Sequence, residues 1–524
     1  SRGLGDVYKR QVMKTEEEGS LTIFSALSLL LILSFLLALL EGARVSGLQM
    51  MDTLAADTGM DCVAAEYQTV LWDKYHLLYL DGAYGWDQFD ENKVSSRVMD
   101  YVAGNLSETG ENSVFRTKLC EASLLEYMFA TDNDGTGMLR QASAYMKRHL
   151  PEDVAKKMYQ QYQDGKKAEA DGKTEYSVED ADQAIINAKK EKEQADQNDK
   201  EGAPQEEAGE KNIQDNENNH AQDAEDGKKE SPIQIVLQLK QNALLGMTVS
   251  DMSSLSAKAV EAKDMVSNRQ CETGRYDMKK AEKMNVSDRV MVLEYIGKHF
   301  SDYTEPGKGD LTYEMEYILC GKDTDKKNLE SSIERLMRMR EAANVAHIIA
   351  DREKLNQTLM IATSLAGFSG NPAVVKIVQI GVVAAWAYVE SILDLRTLLS
   401  GGKISLIKSA AEWTTDLKKL GEIVTGEGKA RECKNGLSYQ AYIKQLLFAM
   451  KEKKMAYRMM DIMELAMQKE QNGKNARMDH MIDNMICELR FEAKPLFAKR
   501  SLYGDMEMGG YTFFKRQKLS YINE

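Results

Sequence analysis

The sequence predicts an α+β protein, predominantly helical, in which one N-terminal transmembrane helix continues into a soluble body holding a small antiparallel sheet of sequence-distant strands. Three observations carry this. An uncharged apolar run lies between Gly19 and Leu40, and most later apolar residues recur at helical spacing. Alternating or β-rich runs appear only in well-separated stretches, at 114–131, 311–317, 488–497 and 511–521.

Within Leu21 to Leu40 only Thr22, Ser25, Ser28 and Ser34 interrupt Leu, Ile, Phe and Ala. Roughly twenty such residues, each rising about 1.5 Å, match the ~30 Å hydrocarbon core of a bilayer. A removable secretory signal has a shorter apolar stretch followed by a small-x-small cleavage site. Here the run ends in Leu39-Leu40-Glu41-Gly42-Ala43-Arg44, so a retained anchor at 21–41 is expected over a cleaved signal. Upstream, Asp6-Val7-Tyr8-Lys9-Arg10-Gln11 looks like a translated sequencing adapter; residues 1–12 are expected to be non-native, Met13 the start and 13–20 a cytoplasmic tail. Lys14 faces Glu16, Glu17 and Glu18 in that tail, and only Arg44 lies near the other flank, so the positive-inside rule barely chooses a side.

A net charge of −14 and a pI near 5.2 argue against nucleic acid as a partner, because phosphate binding needs clustered Lys and Arg. Cys62, Cys120, Cys271, Cys320, Cys433 and Cys487 lie far apart, with no CxxC and no Cys/His pair at zinc spacing. Disulfides remain open on paper; reduced, mostly buried thiols are favoured, since nothing resembles a small stapled domain.

Past the anchor, Leu48, Met51, Ala55 and Cys62, then Val63, Tyr67, Val70 and Leu71, extend a near-helical period into the first part of the body, 42–163. Val114 to Thr131 reads as one or two strands closed by the turn Asp132-Asn133-Asp134-Gly135, and a helix over Met138 to His149 follows. The stretch 164–231 is dominated by Lys, Glu, Asp, Gln and Asn and is expected to be an acidic disordered insertion, helical in patches such as Val178 to Asp196.

The second part, 232–524, opens on Ile233, Ile235, Val236, Leu237 and Leu239. Ser287 is expected to cap a helix carrying Val290, Met291, Leu293, Ile296 and Phe300. Leu311 to Tyr317 alternates at period two and reads as a half-buried strand, with Glu314 and Glu316 on its solvent side. Leu329, Ile333, Leu336, Ala343 and His347 then share one helical face. Ala373 to Leu399 is apolar, but Lys376, Gln379, Glu390, Asp394 and Arg396 break it; its uninterrupted core is too short to cross a bilayer, so a buried helix after Pro372 is expected over a second span. Ser438 and Asp461 fall in two further amphipathic helices, and strands at 488–497 and 511–521 close the chain.

No catalytic, cofactor-binding or metal-ligating residue is assigned. The histidines form no HExxH and no local pairing with cysteine, and His347 on an apolar face reads as a satisfied buried histidine. Gly426-Glu427-Gly428-Lys429 and Gly401-Gly402-Lys403 lack phosphate-loop spacing and read as turns. Asp132-Asn133-Asp134-Gly135-Thr136-Gly137 opens like a calcium loop, but Ser143 stands where the bidentate Glu belongs, so a plain turn is expected.

Three blocks resemble a family of membrane-anchored proteins of unknown biochemical activity from Tad/Flp-type pilus gene clusters of Gram-positive bacteria. They are Gly19 through Arg44 with Ala64-Ala65-Glu66-Tyr67; Tyr313 through Leu319 with Gly321-Lys322, Asn328-Leu329 and Arg340-Glu341-Ala342-Ala343-Asn344; and Ala384-Ala385-Trp386-Ala387 with Glu390-Ser391, Asp394, Arg396, Leu398-Leu399 and Gly401-Gly402-Lys403. The resemblance implies an extracytoplasmic body and a part in pilus or secretion-apparatus assembly, without a known active site. The N-terminus is also similar to the TadE and TadG pseudopilins, where Glu usually stands fifth after the cut; counted from Ser20 that position is Phe24, so an uncleaved anchor is expected. The partners expected are the lipid bilayer and other pilus or secretion-apparatus proteins, with neither nucleic acid nor a small-molecule ligand. The expected location is the cell membrane, single-pass, with the C-terminal body extracytoplasmic. A membrane-anchored binding protein or adhesin is the alternative, and an extracytoplasmic enzyme the least favoured reading.

Overall fold

A computed structural model describes residues 4–107, 114–172, 177–201, 231–276, 284–421, 428–470, 473–496 and 510–521. In chain order, α1 (Leu4–Ala64) and α2 (Thr69–Tyr75) precede β1 (Leu80–Asp81), α3 (Glu91–Ser107) and β2 (Lys118–Phe129). Then come α4 (Thr136–His149), α5 (Glu152–Asp171), α6 (Val178–Glu201), α7 (Pro232–Lys240), α8 (Leu244–Thr248), α9 (Val286–His299) and α10 (Glu314–Cys320). The chain continues through α11 (Asp325–Ala350), α12 (Arg352–Ala366), α13 (Pro372–Leu399), α14 (Tyr439–Phe448), α15 (Glu452–Gln468), β3 (Met481–Ala493) and β4 (Tyr511–Ser520). They fall into two compact units: 1–133 with 271–281 and 467–524, and 134–270 with 282–466.

The first unit is built on an antiparallel sheet. The central strand β3 pairs with β2 on one side and with β1 and β4 on the other. Leu124 sits opposite Cys487, and Phe491 opposite Phe513. Because strand side chains alternate, Met485, Cys487, Leu489 and Phe491 share one face. That face meets Ala55, Ala56, Met60 and Val63 of α1 and Val94, Val98 and Val102 of α3. At Gly59 the two helices come so close that a Cβ would collide with the Val102 side chain. Three strands lie where the sequence predicts sheet, but β3 begins at Met481, earlier than the expected 488. The helical period does not run unbroken to Leu71: α1 stops at Ala64, and α2 starts afresh with Gln68 as its cap.

The second unit is helical among its described residues, with the long α13 at its centre packed against α6, α7, α11 and α12. From Val378 onward nearly every residue of α13 is buried, so this stretch is the expected core helix. The helical patch expected at Val178 to Asp196 is present as α6, which buries Val178, Ala181, Ile185 and Ala188, whereas residues 164–171, expected to be disordered, are the last turns of α5. Residues 173–176 and 202–230 of that expected insertion, His220 among them, lie outside the described residues, as do Gly426-Glu427.

The expected strand at 311–317 is a second correction. Glu314–Cys320 is helix α10, with Gly321 closing it at φ 65°, a left-handed conformation that glycine adopts without strain. Met315 through Cys320 are all buried, so the helix shows no polar stripe and its short pattern mimics alternation. Glu316 is therefore interior, not solvent-facing. A third correction is small: α9 is capped by Asn285, whose side chain accepts from Asp288 N at 2.8 Å, not by Ser287.

Candidate functional site

By length and composition α1 could cross a membrane; the side chains of its apolar part, such as Leu30, Leu31 and Phe35, are exposed. One turn past Leu40 its environment changes. Arg44 is only 6 % exposed, pairs with Glu41 at 2.8 Å, and donates to the carbonyl of Lys494 at 2.9 Å and of Val114 at 2.6 Å. The Glu41 carboxylate also accepts from Leu496 N at 3.3 Å. Carbonyls near the start of β2 and just past the end of β3 are thus satisfied by one guanidinium, whose planar fork suits several acceptors at once. Phe115 lies across Gly47, where a Cβ would strike its ring. We call this arrangement the collar.

About 12 Å beyond Arg44 along the helix, by its ~1.5 Å rise per residue, Asp52 is buried against the sheet. Burial pushes its carboxyl up to about 6, against the lowering effect of Thr117 and the Lys515 charge. The face of α1 beyond the collar that stays exposed carries Met50 and Leu54, at 74 % and 58 %.

The second unit holds two buried polar centres. In the first, Arg340 Nη2 on α11 donates to Asp394 Oδ2 at 3.0 Å, and Arg340 Nη1 donates to Tyr442 Oη at 2.9 Å and to Leu406 O at 2.9 Å. Asn344 donates to Ser391 Oγ at 2.9 Å and to Asp394 at 3.0 Å. Lys408 Nζ pairs with both Glu390 and Asp394, and Glu390 accepts from the backbone N–H of Thr415 at 2.9 Å. Arg340, Lys408, Glu390 and Asp394 give two cations and two anions with side chains wholly buried. Their charges cancel, the arrangement under which burial of ions is tolerated.

In the second centre Glu316 accepts from Tyr439 Oη at 2.7 Å and Tyr303 N at 2.9 Å, and burial pushes its carboxyl up to about 8. Asp461 accepts from Tyr317 Oη at 2.8 Å and Ser267 N at 3.0 Å, its carboxyl likewise raised by burial. Arg458 donates to the carbonyls of Ile318, Leu319 and Cys320, capping α10. These contacts hold a short buried helix in place.

A cleft of about 340 Å³ in this unit is lined by Thr248, Ser250, Tyr303, Arg396, Ser400 and Lys429, among others. Arg396 is engaged with the carbonyls of Met247 at 2.7 Å and Gly428 at 3.2 Å, and among the described residues no carboxylate or histidine lines the cleft. The walls can hold a polar group but offer no acid and base pair. Among the described residues no three His, Cys, Asp or Glu side chains gather as metal ligands.

The residues weighed in the sequence are scattered. Asp132 accepts from Phe129 N at 2.8 Å and Gly274 N at 3.0 Å, so Asp132–Gly135 is a turn. His347 is half-buried and stacks on Trp413 at 4.9 Å, with burial lowering its pKa. Cys320, Cys433 and Cys487 are buried, and Cys62, Cys120 and Cys271 half-buried. Sequence reasoning missed the collar, for which the signal is an acid and an arginine three residues apart directly after the apolar run. It also missed the buried charges, although Arg340, Asn344, Glu390, Ser391 and Asp394 all stand in the blocks quoted above.

No curated protein and no solved structure matches the chain. A family model does, over residues 222–493, a span that contains both buried polar centres and the cleft and begins after α1. The chain belongs to that family, DUF5702, a family of unknown function.

Proposed function

We propose that the protein is a non-enzymatic, membrane-anchored extracytoplasmic component of a Tad/Flp-like pilus or related secretion apparatus, acting in assembly through contacts with other proteins of that apparatus. The observation that supports this most is α1 itself. Its first part is apolar and exposed, its continuation is built into the first unit, and the collar joins the two. Cleavage of the apolar run as a signal beyond Glu41 would strip the collar of its acid, which favours a retained anchor. The polar centres hold structure together, and the described residues lining the cleft are neutral or cationic, which supports a reading in which the unit binds other proteins.

A photo-crosslinking amino acid placed at Met50 or Leu54 tests the reading in cells that carry the pilus genes. The expected result is an adduct with pilin or platform proteins and loss of piliation when the gene is deleted. Normal piliation after deletion, with no such adduct, overturns it.

A further inference from the structure

We propose that the collar seats the first unit on the membrane surface, with Val114, Phe115 and Leu496 dipping among lipid headgroups and Lys118 and Lys494 meeting anionic phosphates. The inference rests on the reading that residues 21–40 span the bilayer, and it adds a second, peripheral contact to that span.

The geometry follows from the helix. Leu21 to Leu40 covers about 30 Å at ~1.5 Å per residue, the hydrocarbon thickness, and headgroups extend roughly 5–8 Å beyond it on each side. Arg44, four residues past Leu40, lies about 6 Å into that headgroup layer. Because Arg44 is bonded to the carbonyls of Val114 and Lys494, and Glu41 to the N–H of Leu496, those two segments are held at the same depth. On them Val114, Phe115 and Leu496 expose 49 %, 42 % and 37 % of their surfaces. Apolar side chains left out at this level have lipid as their neighbour.

Charge agrees. The chain as a whole carries −14, yet Arg116, Lys118 and Lys494 are exposed beside the collar. Among the described residues of the two segments, 114–118 and 492–496, these three cations outnumber the one acid, Glu492, which lies opposite Lys118 in the sheet. Basic side chains within a Debye length of an anionic leaflet are attracted to it. The apolar residues set depth and the lysines choose lipid composition.

The test uses the full chain in nanodiscs, with tryptophan fluorescence quenched by lipids spin-labelled at a shallow or a deep acyl position. Val114→Trp is expected to add a quenched, blue-shifted component over the wild type, at least twofold stronger with the shallow label. Leu31→Trp, inside the apolar run, is expected to quench most with the deep label. Val114 holds Arg44 through its backbone carbonyl, so the substitution leaves the collar bonded. Replacing phosphatidylglycerol with phosphatidylcholine, or adding Lys118→Gln with Lys494→Gln, is expected to reduce the Val114→Trp quenching at least twofold. If Leu31→Trp is quenched and Val114→Trp is not, the surface contact is overturned while the anchor stands. If neither is quenched, the anchor reading falls and takes this one with it. Capture of a protein partner by a crosslinker at Phe115, in place of lipid quenching, also overturns it.

Discussion

Gly381 on α13 lies against Ala181 on α6 so closely that a methyl group on the glycine would overlap the alanine side chain. The helix from the polar stretch is thereby part of the core. Gly381→Ala is expected to destabilise the second unit by up to about 2 kcal/mol, overpacking at about 1–3 kcal/mol set against a helix-propensity gain of about 1. Hydrogen exchange of the α6 and α13 amides checks this; unchanged protection would mean the helices part freely.

The buried ions make a sharper test. Asp394→Ala leaves Arg340 and Lys408 facing Glu390 alone, and removing one partner of a buried pair costs about 3–5 kcal/mol. Urea unfolding should show that loss, whereas Lys327→Ala, at an exposed pair with Asp323, is expected to change stability by less than about 0.5 kcal/mol.

Glu316 should make the second unit less stable as pH rises. Its folded carboxyl holds a proton to about pH 8 while the unfolded one releases it near the ordinary value of 4.5. The stabilisation is complete below 4.5 and is lost as pH climbs through 8, with a slope of up to about 1.4 kcal/mol per unit. Glu316→Gln keeps an acceptor for Tyr439 and Tyr303 and should flatten that dependence in pH-resolved unfolding.

Asp52 carries the same sign in a narrower window. With its carboxyl raised to about 6, the first unit gains stability as pH falls from about 6 toward 3.8. Asp52→Asn should raise thermal stability at pH 7.5 and make no difference near pH 4.

Two glycines in α1 separate packing from propensity. Gly59→Ala drives a methyl into Val102 and should lower stability by about 1–2 kcal/mol. Gly42→Ala meets nothing within 4 Å and should raise it by up to about 1 kcal/mol. Circular dichroism melts of both variants in detergent decide the matter.

The long apolar helix α1, α13, β2 and β4 were legible in the sequence because each has a length or a period that one environment imposes. Helix α10 was not, since a segment buried all round has no polar face to mark its turns, and Glu316 reads as solvent-facing unless Tyr439, more than a hundred residues away, is known to meet it. Helix α6 was legible as a helical patch but not as part of a core, because its contact surface is small: Ala181 weighs little on a hydropathy scale, yet it allows close approach to Gly381. The collar depends on backbone carbonyls 70 and 450 residues from Arg44, and backbone atoms leave no trace in sequence.

Arg44 gives the first unit a particular mechanical character. If α1 is anchored as proposed, a force pulling the body away from the membrane enters through the helix and reaches the carbonyls beside β2 and β3 together, near one end of the sheet. Since β3 is bonded to β2 and to β4 along both sides, load entering there along the strands acts as shear on many hydrogen bonds at once instead of peeling them singly from an edge. A tether under traction is best attached at such a point.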